Sequence, residues 1–160
     1  MFITQNLVAD VGLAAARARL AQLVDGGSLI EVSRDAYQGG FTSLLRVGPF
    51  GDAPGISKQV RVRTLGPVRR DGTTTVWLRW EATGAAHGLF PVLDADLMLM
   101  AEGAGKTRIM LNGCYRPPLG RMGAGLDRAL LHRVASATIH ALLRGIADEL
   151  AESGPVPVFL

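Results

Sequence analysis

The sequence predicts an α+β fold in which an antiparallel sheet of about seven strands wraps around a long C-terminal helix. Two observations predict it. Roughly thirty residues after the segment Tyr115 to Gly120 contain no proline and have the spacing of one helix. Upstream, glycine-rich turns recur about every ten positions between runs of alternating apolar and polar residues, which is typical of antiparallel strands. At 160 residues, the chain is expected to form one domain over 1–160.

The C-terminal helix is predicted to be apolar around most of its circumference. At about 100° per residue, its apolar side chains cover an arc of roughly 240°. A surface helix needs an apolar stripe of only about 100°, so we expect other elements to cover this one on most sides. The narrow stripe that is left for water consists of Arg133, Ser136, His140 and Arg144.

The remaining elements follow in order from the N-terminus. A first strand is predicted over 2–9, and Asp10 then offers an N-cap for a helix that continues to about Val24. The sequence Asp25-Gly26-Gly27 ends that helix. Six further strands are predicted near 28–38, 40–48, 57–68, 73–83, 89–102 and 106–116.

Alternation within these strands predicts which side chains point inward. Leu93, Leu97 and Leu99 can share one face with Ile109, Leu111 and Tyr115, while Asp94, Asp96, Arg108 and Asn112 take the other. Asp94 and Asp96 lie on one strand face, where they could form a carboxylate pair for acid or base chemistry. Solvation on the outer side of the sheet is the favoured interpretation, because a half-exposed strand needs such residues in any case.

The order of strand, helix, antiparallel strands and long C-terminal helix resembles the helix-grip fold of the START-like (SRPBCC) superfamily. Three C-terminal stretches carry the closest resemblance, to a bacterial, polyketide-cyclase-like branch: Tyr115-Arg116-Pro117-Pro118-Leu119-Gly120, Leu126-Asp127-Arg128 and Arg133-Val134-Ala135. The resemblance implies either a carrier or sensor of a hydrophobic small molecule or a polyketide cyclase or dehydratase. The superfamily places two short helices between strands one and two, whereas this sequence indicates one longer helix.

Four aromatic residues are predicted to approach a cavity between the sheet and the C-terminal helix. They are Tyr37, Trp80, Phe90 and Tyr115. Tyrosine and tryptophan combine apolar bulk with a hydrogen-bonding tip that can orient a ligand. Ordinary core packing is the alternative, and it is favoured for Phe90. The leading hypothesis is therefore binding of a hydrophobic or aromatic small molecule.

Two other functions stay open at this point. An enzyme would need a general acid or base in the cavity, and the available side chains are Tyr37, Tyr115, Arg34 and His87. An interaction module without a ligand would instead have a filled interior and an exposed apolar patch. The sequence does not decide whether the protein is an enzyme, and it leaves any catalytic residues unknown.

Cofactor and metal sites are not expected. The segment 103–107, Gly-Ala-Gly-Lys-Thr, lacks the first glycine of a phosphate-binding loop, since Met100 stands there. His132 and His140 are eight residues apart, whereas a two-histidine metal site on a helix needs ligands four apart.

The composition bears on partners and location. The net charge of +3 comes mostly from scattered arginines, so no nucleic-acid partner is predicted. No apolar run approaches the ~20 residues that span a bilayer. The lone Cys114 fits a reducing compartment, and we expect a cytoplasmic protein. The apolar tail 155–160 makes a homodimer possible.

Overall fold

The computed structural model describes residues 1–47, 60–83, 91–116 and 128–152, and for residues 41 and 43–47 it describes the backbone alone. Within these ranges the chain forms β1 (Phe2–Ala9), α1 (Leu13–Gly26), α2 (Ser28–Val47), β2 (Val60–Arg70), β3 (Thr73–Ala82), β4 (Val92–Ala101), β5 (Thr107–Arg116) and α3 (Arg128–Ala151). No helix in the described ranges is long and apolar enough to cross a bilayer.

The strands form one antiparallel sheet in the order β1-β5-β4-β3-β2. Leu97 pairs with Leu111 and Leu99 pairs with Ile109, and all four side chains are fully buried. The predicted inward and outward faces of the last two strands are therefore confirmed. We call the buried side, against which the helices pack, the inner face of the sheet, and the opposite side its outer face.

The predicted strands at 28–38 and 40–48 are wrong, because this segment forms the helix α2. Its buried side chains recur with helical spacing, at Leu29, Ser33, Ala36 and Tyr37. The prediction treated Gly39-Gly40 as a turn, yet both glycines continue the helix. With two strands replaced by a helix, the sheet has five strands in the described ranges rather than about seven.

The end of α1 at Asp25-Gly26-Gly27 was predicted correctly, but a second helix follows immediately. Gly27 ends α1 in the left-handed conformation, with φ of 81°, and donates its backbone N–H to the carbonyl of Val24. A glycine accepts this conformation without a steric penalty. Two helices therefore lie between β1 and β2, so the single longer helix expected from the sequence is wrong.

Asp10 was predicted to cap α1, and this is wrong as well. The helix begins at Leu13 with Gly12 as its N-cap. Asp10 lies before it and pairs instead with Lys106, with 3.2 Å between Oδ1 and Nζ. This ion pair joins the chain after β1 to the turn before β5.

Helix α3 is covered on two sides, by the sheet and by α2. Nine of its residues are buried, among them Ile139, Leu142 and Ile146. The predicted polar stripe is exposed at Arg133, His140 and Arg144, as expected. The apolar arc is narrower than predicted, because Ala141 is exposed.

Helices α2 and α3 lie antiparallel and approach closely at two glycines. Val32 on α2 meets Gly145 on α3, and further along Gly40 on α2 meets Thr138 on α3. A Cβ atom on Gly145 would lie 2.7 Å from Val32 Cγ1, and one on Gly40 would clash with the Thr138 side chain. Thr138 is buried, and its hydroxyl donates to the Val134 carbonyl at 2.8 Å, so it has little freedom to move.

The neighbouring glycines 39 and 40 allow a matched test of this contact. Gly40→Ala should lower the free energy of unfolding by about 1–3 kcal/mol, because the added methyl group overpacks the helix contact. Gly39→Ala should raise it by about 0.5–1 kcal/mol, because alanine is the better helix former and a Cβ there meets no atom within 4 Å. Urea unfolding of both variants measures the difference. Equal effects of the two substitutions would contradict the close contact.

Candidate functional site

Three of the four aromatic residues predicted to bind a ligand lie at one end of the inner face of the sheet. Tyr115 is on β5, Trp80 is on β3, and Tyr37 projects from α2. The rings of Tyr37 and Trp80 meet edge to face, with 5.9 Å between their centroids and an angle of 81° between their planes. All three side chains are at most 3% exposed. Phe90, the fourth, lies outside the described residues.

The strand register explains why Trp80 and Tyr115 come close. Leu93 of β4 pairs with Tyr115 on one side and with Trp80 on the other, so the three form one inward-facing row across the sheet. The next inward row holds the small residues Gly113 and Ala95, which pair with each other. A Cβ atom on Gly113 would clash with Ala95, so no larger residue fits there. The inner surface is therefore low beside Tyr115 and Leu93, whereas Leu78 occupies the corresponding place beside Trp80.

Three buried polar atoms at this place have no hydrogen-bond partner among the residues that the structure describes: Ser33 Oγ, Tyr37 OH and Trp80 Nε1. Ser33 and Tyr37 are four residues apart on α2 and so share one face of the helix. A buried polar group without a partner destabilises a protein by about 1–3 kcal/mol, which makes such groups rare. Their grouping at one site is the feature that the sequence did not signal, since Ser33 has no distinctive local pattern.

The two phenols are neutral hydrogen-bonding groups rather than bases. Burial raises the pKa of Tyr37 well above its usual value, and the nearby Tyr115 raises it further. Burial likewise raises the pKa of Tyr115. A phenol held neutral in this way donates a hydrogen bond at neutral pH but does not accept a proton from a substrate.

The other residues considered for catalysis are not brought to this site in the described ranges. Arg34 is exposed on α2, on a different face from the buried Ser33 and Tyr37. His87 lies outside the described residues. The structure thus brings Tyr37 and Tyr115 close together but does not place Arg34 beside them.

The predicted carboxylates of β4 lie on the outer face, as expected. Asp94 accepts a 2.8 Å hydrogen bond from Trp77 Nε1 and a 3.0 Å hydrogen bond from Arg79. Arg79 also donates to Glu81 at 3.1 Å. Asp96 is exposed. Asp94 therefore anchors side chains of the neighbouring strand and is not half of an acid-base pair with Asp96.

A cavity of about 600 Å³ lies between α2 and α3. Small residues such as Ala36, Gly39 and Ala141 line it, and Asp35 and Asp148 add carboxylates. This groove lies between two helices, whereas the cavity predicted from the sequence lies between a helix and the sheet. Neither Tyr37 nor Trp80 lines it.

The sequence predicts that the protein has no metal site, and this stays a prediction. His132 and His140 are both exposed on α3. Among the residues for which the structure gives positions, no group of three or more His, Cys, Asp or Glu side chains could hold a metal ion.

Comparison with known proteins supports the fold. No protein-family model matches the sequence, and no curated protein matches it significantly. A conserved protein from Geobacillus kaustophilus has a similar structure, with a TM-score of 0.57, 11% identity and coverage of 96% of this chain and 97% of that chain. This similarity shows the fold alone.

Two further structures match less well. The Zhui aromatase/cyclase from Streptomyces sp. R1128 has a TM-score of 0.38 and 12% identity, over 94% of this chain and 93% of that chain. Ara h 8.0201 has a TM-score of 0.39 and 14% identity, over 94% and 97%. The element order and the antiparallel sheet packed against a C-terminal helix agree with the α+β helix-grip architecture predicted from the sequence.

The raised pKa values predict how the protein responds to alkaline pH. The chain has two tyrosines, Tyr37 and Tyr115, so tyrosinate absorbance reports on this site alone. We expect little tyrosinate in the folded protein at about pH 11, although unfolded tyrosines ionise near pH 10. Because the folded-state pKa is raised, ionisation of these tyrosines does not affect stability below about pH 10, and the free energy of unfolding falls as the pH rises above it.

An ultraviolet titration with and without denaturant measures the effect. In denaturant, the full tyrosinate signal should appear near pH 10, and Tyr37→Phe should halve it. A folded protein that develops the full signal near pH 10 would contradict the buried placement of both phenols.

Proposed function

We propose that this helix-grip domain binds a hydrophobic or aromatic small molecule against the inner face of its sheet, at Tyr37, Trp80 and Tyr115. One observation carries the proposal: Ser33 Oγ, Tyr37 OH and Trp80 Nε1 are buried and have no hydrogen-bond partner within the described ranges. A bound molecule that satisfies them would offset the free energy that these groups cost the unliganded protein. Phe90 stays a predicted member of the site.

The chemistry of these groups indicates what the ligand must carry. Trp80 Nε1 can only donate a hydrogen bond, and the hydroxyls of Tyr37 and Ser33 can donate one each. The raised pKa of Tyr37 keeps its proton in place at neutral pH. An apolar molecule with a carbonyl, ether or phenol oxygen therefore suits the site better than a pure hydrocarbon.

Apolar burial would supply most of the affinity. Leu93 and Val62 pair with Trp80 on its two sides, Leu78 precedes it on the same strand face, and all three are buried. At about 25 cal/mol per Å², burial of roughly 300 Å² of ligand surface contributes several kcal/mol before the entropy of binding is subtracted. Such a site needs few polar contacts, which serve mainly to orient the ligand.

Catalysis is not part of the proposal. Cyclase or dehydratase chemistry needs a group that moves a proton at working pH. Both phenols have a pKa raised by burial, and Arg34 is exposed. The described residues therefore favour carriage or sensing of the ligand over its conversion. A cytoplasmic location and a homodimer stay predictions.

A matched ligand pair tests the proposal in a Trp77→Phe background, which leaves Trp80 as the single tryptophan because the chain has two. The probes are 2-acetylnaphthalene and 2-ethylnaphthalene, which differ in one carbonyl oxygen. We expect both to quench Trp80 fluorescence on binding. The ketone should bind roughly 3- to 10-fold more tightly, as one hydrogen bond contributes about 0.5–1.5 kcal/mol.

Substitutions that remove the unpartnered hydroxyl groups should change both ligand affinity and stability. Tyr37→Phe and Ser33→Ala should reduce the preference for the ketone while raising the free energy of unfolding of the unliganded protein by about 1 kcal/mol, since each removes a buried, unpartnered hydroxyl. Ser136→Ala, on the half-buried stripe of α3, is the control and should change neither. If neither naphthalene quenches Trp80 at its solubility limit, the proposal is wrong for aromatic ligands of this size.

A further inference from the structure

We propose that the outer face of β2 docks this protein onto an anionic lipid surface. The strand carries four arginines and no acidic residue along its length. It also carries two of the most exposed large apolar side chains in the described ranges, Leu65 at 71% and Val68 at 62%. β2 lies at the edge of the sheet, and none of the described strands lies beyond it.

The strand register places the charged and apolar side chains in one line. Leu65 pairs with Trp77, and a register shift then pairs Val68 with Thr75, so both apolar residues lie opposite outward-facing positions of β3. Without the shift, ordinary alternation would turn Val68 to the inner face. We call this line the β2 outer row, and its members are Arg61, Arg63, Leu65, Val68 and Arg70.

The arginines of the β2 outer row form only weak ion pairs, so their charges are available to a partner. Arg63 approaches Glu81 at 3.9 Å, and Arg70 approaches Asp71 at 3.5 Å with both side chains about nine-tenths exposed. Exposed pairs of this kind contribute little to stability and break easily. Arg61 makes no ion pair with any residue that the structure describes. The row is thus an apolar pair with cationic groups at both ends.

An anionic bilayer matches this pattern. Lipid phosphates attract arginines near the membrane surface, and Leu65 and Val68 can enter the boundary between headgroups and acyl chains. The apolar pair contributes nothing to a contact with nucleic-acid phosphates. Trp77, the aromatic residue beside the row, is held by Asp94 and is not free to stack on a base.

The alternative protein partners fit less well. An added strand from another protein would need regular backbone donors along β2, but Pro67 has no N–H and the register shift interrupts the ladder. A second copy paired antiparallel along β2 would bring arginines against arginines. These features protect the edge from strand addition and leave its outer face as the binding surface.

Sedimentation with vesicles tests the proposal on the full chain. The probes are vesicles of phosphatidylcholine alone and of phosphatidylcholine with about 30% phosphatidylglycerol. We expect binding to the anionic vesicles only, and loss of binding as salt rises. Arg61→Gln/Arg63→Gln/Arg70→Gln should lower the partition coefficient on the order of a hundredfold, at about fivefold for each arginine. Leu65→Ser/Val68→Ser should lower it at least roughly tenfold.

Matched variants elsewhere on the surface control for charge and hydrophobicity. Phe2→Ser/Val8→Ser removes exposed apolar side chains from β1, at the opposite edge of the sheet. Arg133→Gln/Arg144→Gln removes two exposed charges from α3. Both should leave the partition coefficient within about twofold of the unsubstituted protein.

Three results would overturn the proposal. The first is no binding to anionic vesicles at low salt. The second is an equal loss of binding in the control variants. The third is binding to a DNA duplex or an acidic peptide that depends on the arginines but not on Leu65 and Val68, which would assign the row to a soluble polyanion instead.

Discussion

The candidate site depends on the close approach of α2 to α3. Gly40 and Gly145 let the two helices touch at both ends of their crossing, because neither carries a Cβ atom. The same helix carries Tyr37, whose ring meets that of Trp80 edge to face. The position of α2 therefore places Ser33 and Tyr37, which supply two of the three unpartnered polar atoms of the candidate site in the described ranges.

The sheet separates two kinds of chemistry on its two faces. Inside, burial suppresses charge, so both tyrosines stay neutral, and three buried polar atoms have no partner in the described ranges. Outside, charged side chains pair with one another, as Arg79 does with Asp94 on the neighbouring strand and with Glu81 on its own strand. Alternation along each strand places both sets of residues in the same short sequences. The proposed ligand site on the inner face and the proposed docking surface on the outer face therefore use different side chains.

Much of the fold could be predicted from local pattern. The strands β3, β4 and β5 lie within a few residues of their predicted positions, because their alternation is regular and their turns are marked by glycine. Helix α2 was missed since Gly39-Gly40 has the composition of a turn. The close contact with α3 that makes Gly40 necessary is a tertiary one, and no local signal distinguishes a glycine in a helix crossing from one in a turn.

The sequence by itself determined the α+β fold class and the inner and outer faces of the later strands, because these follow from periodicity. Only the tertiary structure decided that Ser33 joins Tyr37 and Trp80, that Arg34 is exposed, and that Val68 shares a face with Leu65. Those facts depend on how the helix crosses the sheet and on one shift in strand register. Both are set by packing between residues far apart in the chain.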